Sequence, residues 1–313
     1  MNILLLGGSG FLSGAITRAA LQDKCKVSIV TRGEKPIPEG ATALRADRKN
    51  HAQLETAIQT AFAAQTADAG QNAPWDLVVD CIGYEVEDAK QDIALFRNRA
   101  RHFVFVSTDF VYDPAKRDFP QSEDNHFYLQ DDSYGAKKRR CEMEFENADC
   151  GQMQWSVVRP CHIYGPGSRL GCLPKHGRDP QLLSRLKNGE TLQLVGDGHF
   201  LQQPIYFEDL ARLILSCAGN EKTHRQIYQT AGPDIIESRE YYRIIAEILG
   251  VDLKTEELPV AEYLRAHPEH RSFLCHRIYN LDKLKAHGLA VPATSIEDGL
   301  RAHVAAELEN QMA

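Results

Sequence analysis

The sequence is short of three things, and each shortage removes a class of function. No stretch of the 313 residues approaches the roughly 20 consecutive apolar residues that a membrane-spanning helix needs, so no membrane role is expected. Positive charge is in deficit: 36 Lys and Arg stand against 43 Asp and Glu, a formal net charge of -7. A protein that coats nucleic acid needs the opposite, a clustered basic surface, so nucleic acid is not an expected partner. The one basic run, Lys137-Lys138-Arg139-Arg140, falls inside a predicted helix. The eight cysteines are scattered and form no Cys-x-x-Cys pair, which speaks against both a zinc ribbon and a disulfide framework. The N-terminal apolar run is too short and too soon broken by glycine to act as a secretory leader, so a reducing cytoplasm is the expected compartment.

What is present is a globular composition, 43% hydrophobic and 25% charged, in a chain long enough to bury a full core. Its most informative stretch is the start, Met1-Asn-Ile-Leu-Leu-Leu-Gly-Gly-Ser-Gly-Phe-Leu12. An apolar run ending in glycines is how a buried parallel strand hands over to a helix whose N-terminus meets a phosphate. Ile3 to Leu6 form the predicted strand, and Gly7 and Gly10 permit a tight turn and a close approach to a pyrophosphate. Helical spacing from Ile16 to Leu21 and a second apolar strand at Val27 to Val30 complete a βαβ opening. A dinucleotide is therefore the expected ligand, held also by Ser9, Phe11 and Leu12. In NAD binders an acidic residue ends the second strand and accepts from the ribose hydroxyls. Here Thr31 and Arg32 stand there, and a guanidinium suits a 2'-phosphate, so NADP is favoured, with NAD as the alternative coenzyme.

Strands and helices go on alternating: a strand near Ala43-Leu44, a helix from about 51, strands at Leu77 to Cys81 and His102 to Val106 flanking a helix at 86–100, a helix at 134–148, and a strand at Trp155 to Val158. This is the sequence form of an α/β, Rossmann-type, doubly wound parallel sheet. Residues 65–75, rich in Ala, Gly, Asn and Gln, read as a surface loop. Beyond Pro160 the character changes, with Gly, Pro and His clustered over 161–180, helical signals at Gln181 to Asn188 and Phe207 to Cys217, and Arg239 to Leu249 the clearest late helix. The expected division is a dinucleotide domain of 1–165 with 204–233, capped by a smaller, mainly helical C-terminal substrate lobe of 166–203 with 234–313.

Three side chains are placed to do chemistry. Thr108 follows the strand Phe103 to Ser107, at the sheet edge where ligands of open α/β folds bind. Tyr134 and Lys138 are one helical turn apart and share a face. A phenol with an unperturbed pKa of about 10 is a poor acid-base at neutral pH. A neighbouring ammonium and a nicotinium charge would favour phenolate and bring it into range. Tyr134 would then exchange a proton with a substrate hydroxyl or carbonyl while hydride passes to or from the nicotinamide. Thr108 would bond the same oxygen, and Lys138 would hold the nicotinamide ribose and tune Tyr134.

These residues, taken in order with others, resemble a family. The glycine turn, Asp47-Arg48, Val106-Ser-Thr-Asp-Phe-Val-Tyr112, Ser133-Tyr-Gly-Ala-Lys-Lys138, Val158-Arg-Pro-Cys-His-Ile-Tyr-Gly-Pro166 and Tyr279-Asn-Leu-Asp-Lys-Leu284 are similar to the motifs of the extended short-chain dehydrogenase/reductases. These are the NAD(P)-dependent sugar epimerases, dehydratases and reductases. The resemblance covers nearly the whole chain and implies Thr108, Tyr134 and Lys138 as catalytic residues. It also implies cofactor contacts from Asp47 and Arg48 near the adenine, from Cys81, Ile82, Gly83 and Ser107 along the dinucleotide, and from Pro160, His162 and Ile163 around the nicotinamide. A homodimer built through the sheet-layer helices is a further family expectation.

Departures from the family bear on the substrate, whose expected contacts are Asp109, His162 and Gln202. Members that handle nucleotide-linked sugars commonly have asparagine where His162 stands and a diphosphate-binding arginine where Gln202 stands. Glutamine cannot replace that charged fork, so a small sugar-like molecule without a nucleotide becomes the expected substrate. Dehydratases of the family often follow the Thr with an Asp-Glu pair. Here it is Asp109-Phe110, which disfavours dehydration and looks more like the deoxysugar reductases. Cys161, His162, Cys172 and His176 match no metal-ligand spacing, so no metal is expected. The expected activity is reversible hydride transfer at a secondary alcohol or ketone. The rival is a non-catalytic NADP-binding sensor or RNA-associated scaffold of the same fold.

Overall fold

The computed structural model describes residues 1–69 and 74–312. Seven parallel strands make the central sheet: β1 (Asn2–Leu6), β2 (Lys26–Thr31), β3 (Thr42–Arg45), β4 (Leu77–Asp80), β5 (His102–Val106), β6 (Gln154–Pro160) and β7 (Gln226–Thr230). Their spatial order is β7-β6-β5-β4-β1-β2-β3, so the chain winds outward from β1 in one direction and then returns to wind the other way from β4. The reversal leaves a crevice at the carboxyl ends of β1 and β4, where open α/β sheets receive ligands.

The alternation of side chains along the strands builds two cores. Ile3 and Leu5 of β1 face one side, with Ala15, Ile16, Ala19 and Ala20 of helix α1 (Phe11–Gln22) and Leu210 to Ile214 of the helix Phe207–Leu215. Leu4 and Leu6 face the other, with Leu54 and Ile58 of α2 (His51–Ala69), Ile93 and Phe96 of α3 (Val86–Phe96), and Cys141 and Phe145 of α4 (Tyr134–Asn147). Strands buried on both faces need continuous apolar runs, and β1 and β4 have them. A third buried cluster lies apart from the sheet, made by Leu170, Leu182, Leu186, Leu192, Tyr241, Ile245, Leu300 and Val304.

Two expectations need correction, and a third gains a detail. Helix α2 runs on to Ala69 through the stretch read as loop, where Gln65, Ala67 and Ala69 are good helix formers. Trp75, at the other end of that stretch, is a buried core residue bridged to Ala100; residues 70–73 lie outside the described residues. The helix expected over 86–100 stops at Phe96. The mainly helical C-terminal part also contains a strand, Thr255–Leu258, parallel to Leu192–Val195. Among the described residues no helix is long and apolar enough to cross a membrane.

Candidate active site

Two cavities line the carboxyl edge of the sheet. The smaller, about 330 Å³, is bordered by Gly7, Ser9 and Gly10 of the glycine turn, by Arg32 and Asp47 beyond β2 and β3, and by Ile82 after β4. The larger, about 660 Å³, is bordered by Leu12, Cys81, Ser107, Thr108, Tyr134 and Lys138, with Pro160, His162 and Ile163 on the far wall. Tyr84 borders both, so its ring marks where they meet.

The smaller cavity has the form of a dinucleotide cradle. Gly8 has φ +99, and a Cβ built there would come 2.5 Å from the Ile29 side chain, so backbone and strand approach as only glycine allows. Sequence reading singled out Gly7 and Gly10 and passed over Gly8. Ser13 holds the start of α1 by accepting from the Gly10 amide at 3.0 Å, which aims the helix N-terminus into the cavity. Arg32 is exposed and pairs with Glu34 at 2.7 Å. Arg48 reaches the wall, but its guanidinium turns inward, bonding both Asp92 oxygens at 2.8 and 2.9 Å and Asp80 at 3.2 Å. Phe11 stacks on Phe207 at 5.3 Å between ring centres and lines neither cavity.

In the larger cavity the expected trio comes together by a specific packing device. Ser133 caps α4 by accepting from the Ala136 amide, so Tyr134 is the first helical residue. Gly135 lies so close to the turn after β5 that a Cβ on it would be 1.9 Å from the Phe110 carbonyl oxygen. That approach brings Tyr134 to the same cleft wall as Thr108, near enough for the Thr108 side chain to lower the cost of ionising the phenol. One turn on, Lys138 is 1% exposed and donates to the carbonyls of Gly83 and Val106, both at 2.6 Å, tying together the ends of β4 and β5. Beneath Thr108, the Ser107 hydroxyl donates to Glu142 at 2.5 Å. Glu142 also accepts a fork from Arg159 of β6 at 2.9 and 2.6 Å. Sequence reading missed Glu142, although it lies one turn beyond Lys138 on the same helix.

Electrostatics depart from the expected tuning. Although Tyr134 is 50% exposed, its phenol is pushed up to about 12, first by desolvation in the cleft and then by Tyr84 and Asp109; Thr108 and the nearby Arg178 pull the other way. The Lys138 ammonium, engaged by two carbonyls, is lowered by burial. His162 is driven down to about 3 by burial, with Arg277 and Arg178 adding to the shift, so it is neutral at pH 7. Asp109 is buried at the cleft floor and faces Arg277, Arg117 and Tyr279. Gln202, 1% exposed, bridges Arg277 and pairs with Ile236; it lines neither cavity. Cys161 donates its thiol to the Gln203 carbonyl at 2.8 Å. The Cys161, His162, Cys172 and His176 set makes no ligand cluster among the described residues, where the one such grouping is His267, Glu269 and His270.

A glycine-turn cradle beside a Thr-Tyr-Lys cleft, with Tyr84 lining both, is a dinucleotide enzyme's arrangement, and residues 3–231 match the NAD dependent epimerase/dehydratase family. The chain belongs to that family. It is an enzyme family of the extended short-chain dehydrogenase/reductase type, and its match runs from β1 to the end of β7. Among curated relatives, the chain is 24% identical over 247 residues to chloroplast stem-loop binding protein of 41 kDa b from Arabidopsis thaliana; that match covers 74% of this chain and 58% of that protein. It is 25% identical over 308 residues to short-chain dehydrogenase/reductase family 42E member 1 from Danio rerio, covering 90% and 77% respectively. A solved dTDP-glucose 4,6-dehydratase from Bacillus anthracis, in complex with NAD, has the same fold: TM-score 0.76, 18% identity, covering 100% of this chain and 98% of that one.

Within the family frame, the basic run of α4 is answered locally. Lys137 pairs with Glu85, Arg139 with Glu142 and Glu146, and Arg140 with Asp132. Four residues that shape the cleft had no sequence signal: Tyr84, Arg178, Arg277 and Gly135's role against Phe110. Their importance lies in contacts made by distant segments.

Proposed function

We propose that this family member is an NADP-preferring oxidoreductase or epimerase. It would act by reversible hydride transfer at a secondary alcohol or ketone of a small sugar-like molecule that need not carry a nucleotide diphosphate. The observation that carries the reading is that Thr108, Tyr134 and Lys138 line one cleft, which shares Tyr84 with the glycine-turn cradle. When bound, the dinucleotide supplies the hydride donor or acceptor. Gly7, Ser9 and Gly10 would hold its pyrophosphate at the α1 N-terminus. Lys138 would offer its remaining N–H to the nicotinamide ribose. Thr108 would orient the substrate oxygen, and Tyr134 would pass it a proton or take one away. Asp109 and His162 border the same cleft as candidate substrate contacts.

The preference for NADP rests on Thr31 ending β2, with Arg32 and Lys35 beside the cradle. The Arg32–Glu34 pair does not spend that guanidinium, because both groups are more than half exposed and such pairs contribute about 0–1 kcal/mol. A cytoplasmic location belongs to this reading, in keeping with eight unpaired cysteines. The test is NADPH consumption by the purified chain over a panel of sugar ketones, with Tyr134→Phe as control. Turnover lost in that variant with coenzyme binding retained supports the reading; full turnover overturns it. A second reading, a non-catalytic cofactor binder that associates with RNA, draws on the name of the Arabidopsis relative. Stem-loop RNA bound equally by Tyr134→Phe, with no turnover by either form, would favour it.

A further inference from the structure

The floor of the larger cleft carries a charge imbalance that hydride transfer does not use. Asp109 is 1% exposed and accepts Arg277 Nη2 on both oxygens at 2.5 Å, Arg117 Nη2 at 3.1 Å and the Tyr279 hydroxyl. One carboxylate therefore serves two guanidiniums whose side chains are 1% and 5% exposed. Burial would raise the Asp109 carboxyl, but Arg277, Arg117 and these hydrogen bonds outweigh it and hold it below the usual carboxylate range. A guanidinium cannot relieve the imbalance by losing its proton. Neighbouring groups do not relieve it either. Burial takes the Tyr279 phenol and the Cys161 and Cys172 thiols well up, and His162 down, so all four are neutral at pH 7. The floor holds one buried positive charge in excess, a state that is strongly unfavourable without a counter-ion.

That excess points into the cleft. Arg277 borders it and commits only Nη2, while its Nε and Nη1 are buried with no partner among the described residues. The Phe110 ring, 4.0 Å from the guanidinium carbon, fixes the plane of the fork. Arg178 borders the same cleft from a backbone with φ 60, and its charge is felt at both Tyr134 and His162. It has no carboxylate partner among the described residues. The other acid at the cleft, Glu269, is exposed at the rim and faces His267 and His270, at 3.4 and 3.7 Å.

We infer that the substrate is anionic, an acidic sugar or a sugar phosphate, and that its carboxylate or phosphate is bound at Arg178, drawn there also by the uncompensated charge of Arg277 in the cleft wall. The anion would lie a few atoms from the reacting carbon, because Asp109 follows Thr108 directly and its charge reaches the Tyr134 phenol. This rests on the hydride-transfer reading and narrows its substrate class.

The test is equilibrium binding by calorimetry, on the full chain saturated with NADP+, of D-glucuronate, D-glucose 6-phosphate and neutral D-glucose. The expected result is that at least one anion binds tenfold or more tighter than glucose, and which one identifies the group as carboxylate or phosphate ester. Arg178→Ala, which leaves the Asp109 network intact, should abolish most of that preference, as should Arg277→Gln where it folds. Glucose binding as well as both anions, failure of both anions to bind, or a preference unchanged in Arg178→Ala overturns the inference. No turnover is read, so a chain that binds anions yet reduces and oxidises nothing would sink the hydride reading and leave this one standing.

Discussion

At the scale of single residues, Tyr134 decides the direction in which pH acts. With its phenol held up to about 12, it is protonated at neutral pH and set to give a proton, which is the reductive direction. Oxidation needs the deprotonated form. Raising the pH should therefore increase oxidative kcat/KM and decrease reductive kcat/KM, the oxidative profile turning at the lower apparent pKa because only oxidised coenzyme carries the ring charge that favours phenolate. Parallel pH–rate profiles in the two directions check this. Tyr134→Phe should cost about 10²–10⁴ in kcat, the usual worth of a positioned acid-base group, with coenzyme affinity unchanged by fluorescence titration. Arg32→Asp should weaken NADP far more than NAD, because a charge-assisted bond to phosphate is worth about 1.5–3 kcal/mol and the new carboxylate favours ribose hydroxyls. Equal titration curves for the two coenzymes before and after the change would remove the arginine from the account.

At the scale of elements, the start of α4 is held in place from two sides. On one, Gly135 lets it meet the turn after β5. A methyl there, 1.9 Å from the Phe110 carbonyl, must push helix and turn apart. Gly135→Ala should cost about 1–3 kcal/mol in stability and lower kcat while leaving coenzyme KM nearly unchanged, as read by urea unfolding and steady-state kinetics. On the other, Glu142 locks Ser107 and Arg159. Removing its charge leaves Arg159 buried without a counter-ion, so Glu142→Gln should cost about 3–5 kcal/mol. Burial would raise the Glu142 carboxyl, but Arg159, Arg139 and Ser107 hold it below its usual value. A depressed carboxyl stabilises above the unfolded value of about 4.3 and stops doing so as pH falls through the lower folded value. Wild type should lose stability across that acid window, and the Gln variant should lose much less. The elements legible in the sequence were those with strong local patterns: β1 from its apolar run, and Tyr134 with Lys138 from helical spacing. Strand β7, Gln-Ile-Tyr-Gln-Thr, and the Thr255–Leu258 strand, Thr-Glu-Glu-Leu, escaped because neither carries the continuous apolar run that marks β1. Arg277 escaped because its partner Asp109 is 168 residues away.

At the scale of the whole molecule, the family fold turns binding into stability. Coenzyme that binds only the folded chain adds about 2.7 kcal/mol at a hundredfold excess over Kd. NADPH should therefore raise Tm more than NADH at equal concentration, and Arg32→Asp should reverse the order. The strand order carries one more consequence, for the life of the chain before it is finished. The opening strand gains its first neighbour within the next 30 residues, but its other flank waits for Leu77–Asp80. Until that segment leaves the ribosome, the nascent polypeptide exposes a bare, greasy ribbon of unmatched amides, an adhesive surface for other copies. Fragments that end before Leu77 should clump or be captured by chaperones, whereas those reaching past Thr230, with all seven strands paired, should elute as single molecules on size exclusion.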